Sequence, residues 1–123
     1  RVVEHPETLA TAIRIGNPAR WRQAAEALDE SGGIITAVSD DDILAAWHLL
    51  AKREGVWVEP ASATGLAALQ QQIAAGAIDP EGQTAVVVLT GHGLKDPGTA
   101  VAQAAAPVAL PAKLEALEGY LAG

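Results

Sequence analysis

Residues 84–97 read TAVVVLTGHGLKDP, and the interpretation of this stretch decides the fold. Val86, Val87, Val88 and Leu89 make a continuous apolar run of the kind carried by a strand buried on both faces. The run stops at Thr90, and the chain continues through Gly91, His92, Gly93, Leu94, Lys95, Asp96 and Pro97. A hydroxyl, two glycines, an imidazole and a pair of opposite charges are more than a turn requires. In α/β proteins the carboxyl ends of the strands are where ligands bind, so this ending marks a place to look for function.

Outward from this run, two other segments read as strands: Ile34 to Val38 after Gly32-Gly33, and Val56 to Val58 after Gly55. Helical patterns separate them. Asn17 as N-cap and Pro18 as first helical residue predict a helix carrying Trp21, Ala24, Ala25 and Leu28 on one stripe, a core or interface face, stopped at Gly32-Gly33. Ser39 predicts a second N-cap with Asp42 as its capping partner. Ile43, Ala46, Trp47 and Leu50 follow as the inner stripe, and Gly55 marks the stop. Glu59 to Gly65 reads as a polar loop leading into a third helix with Leu66, Leu69 and Ile73 on its apolar face and Gly76 as C-cap. A short helix is expected over PETLATAI (6–13), a weak one from Pro97 to Ala106, and a better one from Pro111 with Leu114, Leu117 and Leu121 on one face. Strands alternating with helices over short connections predict right-handed parallel crossovers, hence an α/β fold. One domain is expected over 1–123, with strand-helix repeats to about residue 100 and an Ala-rich helical tail beyond.

Composition narrows the function classes. Eight Lys plus Arg against fifteen Asp plus Glu give a net charge of −7, and the cations are scattered, which argues against a nucleic-acid partner. No apolar run approaches a membrane span, and no charged-then-apolar leader is seen, so a soluble protein is expected. The absence of Cys excludes thiolate metal sites and disulfides and fits a reducing compartment, with the cytoplasm as the expected location. The chain opens on Arg1 rather than Met and enters patterned sequence at once, which reads as a segment of something longer.

Two loops carry the candidate chemistry, EPASATG (59–65) and TGHGLKDP (90–97). Gly91-His92-Gly93 lacks the further glycine of a dinucleotide fingerprint and the Gly-Lys-Ser/Thr ending of a P-loop. His5, His48 and His92 have no ligand spacing, and Asp40-Asp41-Asp42 suits a helix start better than a calcium loop, so no metal site is expected. Ser62 has no nucleophile-elbow context, and neither a base nor an orienting group can be assigned to it. Two readings of Thr90 remain: a hydroxyl that bonds an aromatic nitrogen of a cofactor without forcing its protonation, or a turn residue bonded to its own backbone.

Four motifs in order, ETLATAIRIGNP (7–18), SGGIITAVSDDDIL (31–44), EGVWVEPASATGLAAL (54–69) and VVVLTGHGLKDP (86–97), resemble the C-terminal portion of the threonine synthase family, of the shorter bacterial type. The similarity covers nearly all of residues 3–100, with the tail after Val101 less informative. Threonine dehydratase, a related alternative, shares an EPA-type motif, but IRIGNP combined with LTGHGLKDP points to the synthase. The resemblance implies part of the three-layer, parallel-sheet large domain of a fold type II pyridoxal-phosphate enzyme, acting on O-phospho-L-homoserine and water to give L-threonine and phosphate. It implies that Thr90 bonds the pyridine nitrogen of pyridoxal 5'-phosphate. It also implies, less strongly, that Ala12, Ile13 and Arg14 wall the site and that Glu59 lies near it. The family's cofactor-anchoring lysine and phosphate cradle match nothing here, since Lys52, Lys95 and Lys113 stand outside that motif. No catalytic residue is therefore expected in this chain. The isolated segment is expected to be inactive without the N-terminal portion of the enzyme, which as a whole is expected to be a homodimer. The competing reading is a non-catalytic, truncated binding or assembly module with an exposed sheet edge.

Overall fold

A computed structural model describes residues 2–123. Its centre is a pair of packed helices, α2 (Asp40–Leu49) and α3 (Pro60–Ala74). The chain also forms α1 (Trp21–Ser31), α4 (Pro97–Gln103) and α5 (Leu114–Leu121), with short 3₁₀ turns at Thr11–Ile13 and Gly93–Lys95. α2 starts as its sequence requires. The Asp42 N–H donates to Ser39 Oγ at 3.1 Å, and the Ser39 N–H donates back to the Asp42 carboxylate at 3.4 Å, closing a capping box. Its predicted stripe of Ile43, Ala46, Trp47 and Leu50 is buried. The helix then widens into a π turn over Leu50–Glu54 and stops at Gly55, whose φ of 66° is the left-handed conformation that glycine adopts without strain.

α3 begins earlier than predicted. Pro60 occupies its first turn, so EPASATG is the opening of a helix rather than a loop before it. Its buried face is made of small residues, Ser62, Ala63 and Ala67, while Leu66, Leu69 and Ile73 flank the contact half-buried. Small side chains let α2 and α3 approach closely, and Trp47 fills the space at their end, donating from Nε1 to Val58 O at 2.6 Å.

The predicted parallel sheet does not form among the described residues. Ile34 to Val38 and Thr84 to Thr90 make no backbone ladder, and the one bridge, Val58 with His92, is antiparallel. A ladder needs a neighbouring strand about 4.8 Å away, and neither segment has one here. The valine run still shows the two-residue alternation of a strand. Val87 and Leu89 turn toward α3 and the core, whereas Val86 and Val88 are 86% and 75% exposed.

Two helix starts also differ from expectation. PETLATAI forms only the single 3₁₀ turn, because its backbone groups are taken by side chains: the Leu9 N–H donates to Asp40 at 3.0 Å, the Ala10 N–H to Thr8 Oγ1, and Arg14 donates to Thr8 O. α1 begins at Trp21 instead of Pro18, with no side-chain cap. None of its residues is buried, and Trp21 remains 55% exposed under the Arg22 guanidinium, so within this chain its stripe is not core. α4 ends at Gln103, short of Ala106, and α5 spans Leu114–Leu121, with no buried residue in either.

Candidate functional site

The start of α3 and the loop after the valine run meet at one junction, built on residues 57–62 and 90–96. The Glu59 N–H donates to Gly91 O at 3.0 Å and the Gly93 N–H to Trp57 O at 3.2 Å, so the loop runs antiparallel beside the segment entering α3. The close approach explains both glycines. A Cβ on Gly91 would overlap the Glu59 carboxylate, and one on Gly93 would overlap the Trp57 indole. Gly91 and Gly93 thus make room for neighbours within this chain. His92 lies edge-on to Trp57 at 5.4 Å and accepts the Leu94 N–H on Nδ1 at 3.1 Å, a cap for the 3₁₀ turn.

Ser62 is the hub of the junction. Its hydroxyl is buried, accepts the Gly91 N–H at 2.7 Å, lies 3.2 Å from Thr90 Oγ1 and reaches Gly91 O at 3.3 Å. Thr90 itself is an exposed residue whose hydroxyl is held by the buried Ser62. The turn reading, in which Thr90 bonds its own backbone, is replaced by this contact across 28 residues. Sequence reasoning gave Ser62 no role, because no base stands near it in the chain. Its place in the first turn of a Pro-initiated helix, directly after a short apolar run, was the available signal.

Glu59 lies at the same junction. Its side chain is buried and paired with Lys95, which donates from Nζ at 3.3 Å. Lys95 is mostly exposed, so it neutralises the carboxylate from the solvent side. The 3₁₀ segment reaches the junction through Thr11, whose hydroxyl donates to Asp96 at 2.8 Å. Ala12, Ile13 and Arg14 are exposed, and Arg14 is turned back on Thr8 O and Glu7. Asp96 also accepts from the Thr99 N–H and hydroxyl, capping α4. Desolvation raises its pKa, but the hydrogen bonds from Thr11 and Thr99 outweigh it and hold the carboxyl below the ordinary value.

Among the described residues no three His, Cys, Asp or Glu side chains gather as metal ligands. An apolar groove between Ile34 to Val38 and α3, lined by Gly65, Leu69 and Ile78 among others, does not include Thr90. No helix among the described residues is long and apolar enough to cross a membrane. To a ring nitrogen of pyridoxal phosphate this junction offers one hydroxyl, that of Thr90, bonded to the buried hydroxyl of Ser62. Its phosphate is not fitted here, since the loop's lysine is committed to Glu59.

The profile of the family described as "Pyridoxal-phosphate dependent enzyme" matches residues 1–91. Over 124 aligned residues the chain is 52% identical to a threonine synthase of Halalkalibacterium halodurans, an alignment covering 100% of this chain and 35% of that protein. A Mycobacterium tuberculosis threonine synthase is 56% identical over 99 residues, 80% of this chain and 27% of that protein. The Methanocaldococcus jannaschii threonine synthase is 43% identical over 118 residues, 96% of this chain and 29% of that protein. The chain therefore spans between a quarter and about a third of the length of these curated relatives.

Proposed function

The chain belongs to the pyridoxal-phosphate-dependent enzymes, and from that premise we propose that it forms the C-terminal part of the large domain of a threonine synthase. The complete enzyme converts O-phospho-L-homoserine and water to L-threonine and phosphate, works in the cytoplasm and is a homodimer. The observation that carries this reading is the exposed Thr90 hydroxyl, fixed at the end of the valine run by buried Ser62. Pyridoxal phosphate, when bound, supplies an electron sink at its ring. Thr90 would hold the pyridine nitrogen through a neutral hydroxyl, without the charge that a carboxylate in its place would bring. Gly91 and Glu59 shape the floor behind Thr90, and the Thr11–Asp96 hydrogen bond ties the segment at 8–14 to the same loop. The lysine that anchors the cofactor and the donors for both phosphates belong to residues beyond these 123.

On this reading the bare runs Ile34 to Val38 and Thr84 to Leu89 become strands of a parallel sheet when the rest of the large domain lies beside them. Val86 and Val88, exposed in this chain, are then covered.

Mixing the 123-residue chain with pyridoxal phosphate and O-phosphohomoserine tests the division of labour. The expected outcome is no retained cofactor absorbance and no phosphate release. Adding the complementary N-terminal portion restores both, and Thr90→Ala weakens what is restored. Turnover by the isolated chain, or full activity of the Thr90→Ala assembly, would overturn the proposal. Assembly into a catalytically silent complex would favour the non-catalytic module instead.

A further inference from the structure

We infer that Ser62 is a positioning residue that sets the hydrogen-bond polarity of Thr90, directing the threonine proton outward so that Thr90 acts as a donor to an unprotonated aromatic nitrogen. The inference rests on the reading of Thr90 given above and concerns a residue with which that reading did nothing chemical.

A serine hydroxyl has one proton and two lone pairs. One lone pair of Ser62 is taken by the Gly91 N–H at 2.7 Å, the shortest contact the hydroxyl makes. Its proton has two acceptors within reach, Thr90 Oγ1 at 3.2 Å and Gly91 O at 3.3 Å. These choices have opposite consequences. If Ser62 donates to Gly91 O, Thr90 satisfies Ser62 with its own proton and turns lone pairs outward, ready to accept from a protonated ring nitrogen. If Ser62 donates to Thr90, the threonine proton is released to the open side.

The surroundings favour the second arrangement. Gly91 O already accepts the Glu59 N–H at 3.0 Å, so it does not depend on Ser62. Thr90 Oγ1, in contrast, has Ser62 as its hydrogen-bond partner. Ser62 is buried on α3 and Thr90 is exposed, so the inner hydroxyl is fixed and the outer one follows it. The buried carboxylate closest in the chain, Glu59, is paired with Lys95 and does not compete for the hydroxyl proton.

The test uses the full-length enzyme of which this chain forms part, loaded with pyridoxal phosphate carrying ¹⁵N in the ring, because the nitrogen's NMR shift reports its protonation independently of turnover. The expected wild-type signal is that of an unprotonated pyridine nitrogen. Ser62→Ala is expected to move that signal and to weaken cofactor retention about two- to tenfold, the span of one net hydrogen bond. Ser62→Thr, which keeps the hydroxyl, retains the wild-type signal, and in a Thr90→Val background Ser62→Ala produces no further change. Should Ser62→Ala lose its fold through the stranded Gly91 amide, Ser62→Cys is read instead and is expected to move the signal in the same direction. A protonated nitrogen in the wild type, an unmoved signal in the Ser62 variant, or an equal movement in the Thr90→Val background would overturn the inference while leaving Thr90 in place. An unchanged signal and retention in Thr90→Val alone would instead remove the Thr90 reading, and this inference with it.

Discussion

The junction of residues 57–62 with 90–96 and the valine run that leads into it differ sharply, although they adjoin. The junction is closed by reciprocal contacts: Ser62 with Gly91 and Thr90, Glu59 with Gly91 and Lys95, and Thr11 with Asp96. The run at 84–89 has strand alternation but no ladder, and it presents Val86 and Val88 to solvent. The difference teaches that this chain builds the end of the run, where the Thr90 hydroxyl sits, out of its own residues. The body of the run has no ladder partner among the described residues. The same division separates α2 and α3, which bury Ile43, Ala46, Ala63 and Ala67 where they pack, from α1, whose Trp21 stripe is open.

The largest effect that sharpens this comparison is expected at the packed centre. Trp47→Ala removes a buried indole and its hydrogen bond to Val58 O, and should cost about 3–5 kcal/mol in urea unfolding. Next comes Gly93→Ala, whose methyl would meet the Trp57 ring and should cost about 1–3 kcal/mol. If it proved neutral, the close packing of the loop would be wrong.

A smaller effect is expected from acid. The folded pKa of Asp96 lies below its unfolded value, so the unfolded chain takes up the proton first as pH falls. Its contribution is complete above the ordinary carboxylate value of about 3.9 and is lost as pH falls through the lowered folded value. Asp96→Asn should therefore flatten the acid limb of the stability curve, and an unaltered limb would contradict the Thr11 contact. The smallest effect belongs to the run itself. Val86→Thr together with Val88→Thr should change the stability of the 123-residue chain by no more than about 0.5 kcal/mol per site. A large loss there would mean that the run is buried after all.

What was legible in the sequence was local. Ser39 with Asp42, the stripe from Ile43 to Leu50, and Gly55 as a stop depend on neighbours within a few turns, and the structure forms them as read. PETLATAI was misread because Asp40, some thirty residues away, captures the groups a helix would have used. The two-residue alternation of 84–89 was legible, but the sheet expected from it does not form among the described residues, since a ladder depends on a partner that periodicity cannot supply. At the site, Thr90 was reached through the resemblance. Ser62 was not, because its meaning lies in a contact with a residue 28 positions away.

Amide hydrogen exchange on the 123-residue chain tests the central contrast most directly. The account predicts that the Gly91 amide, bonded to buried Ser62, exchanges slowly, while the amides of Val86, Val87 and Val88 exchange at nearly the rate of an open chain. Equal protection of Gly91 and the valine run, or rapid exchange at Gly91, would contradict it.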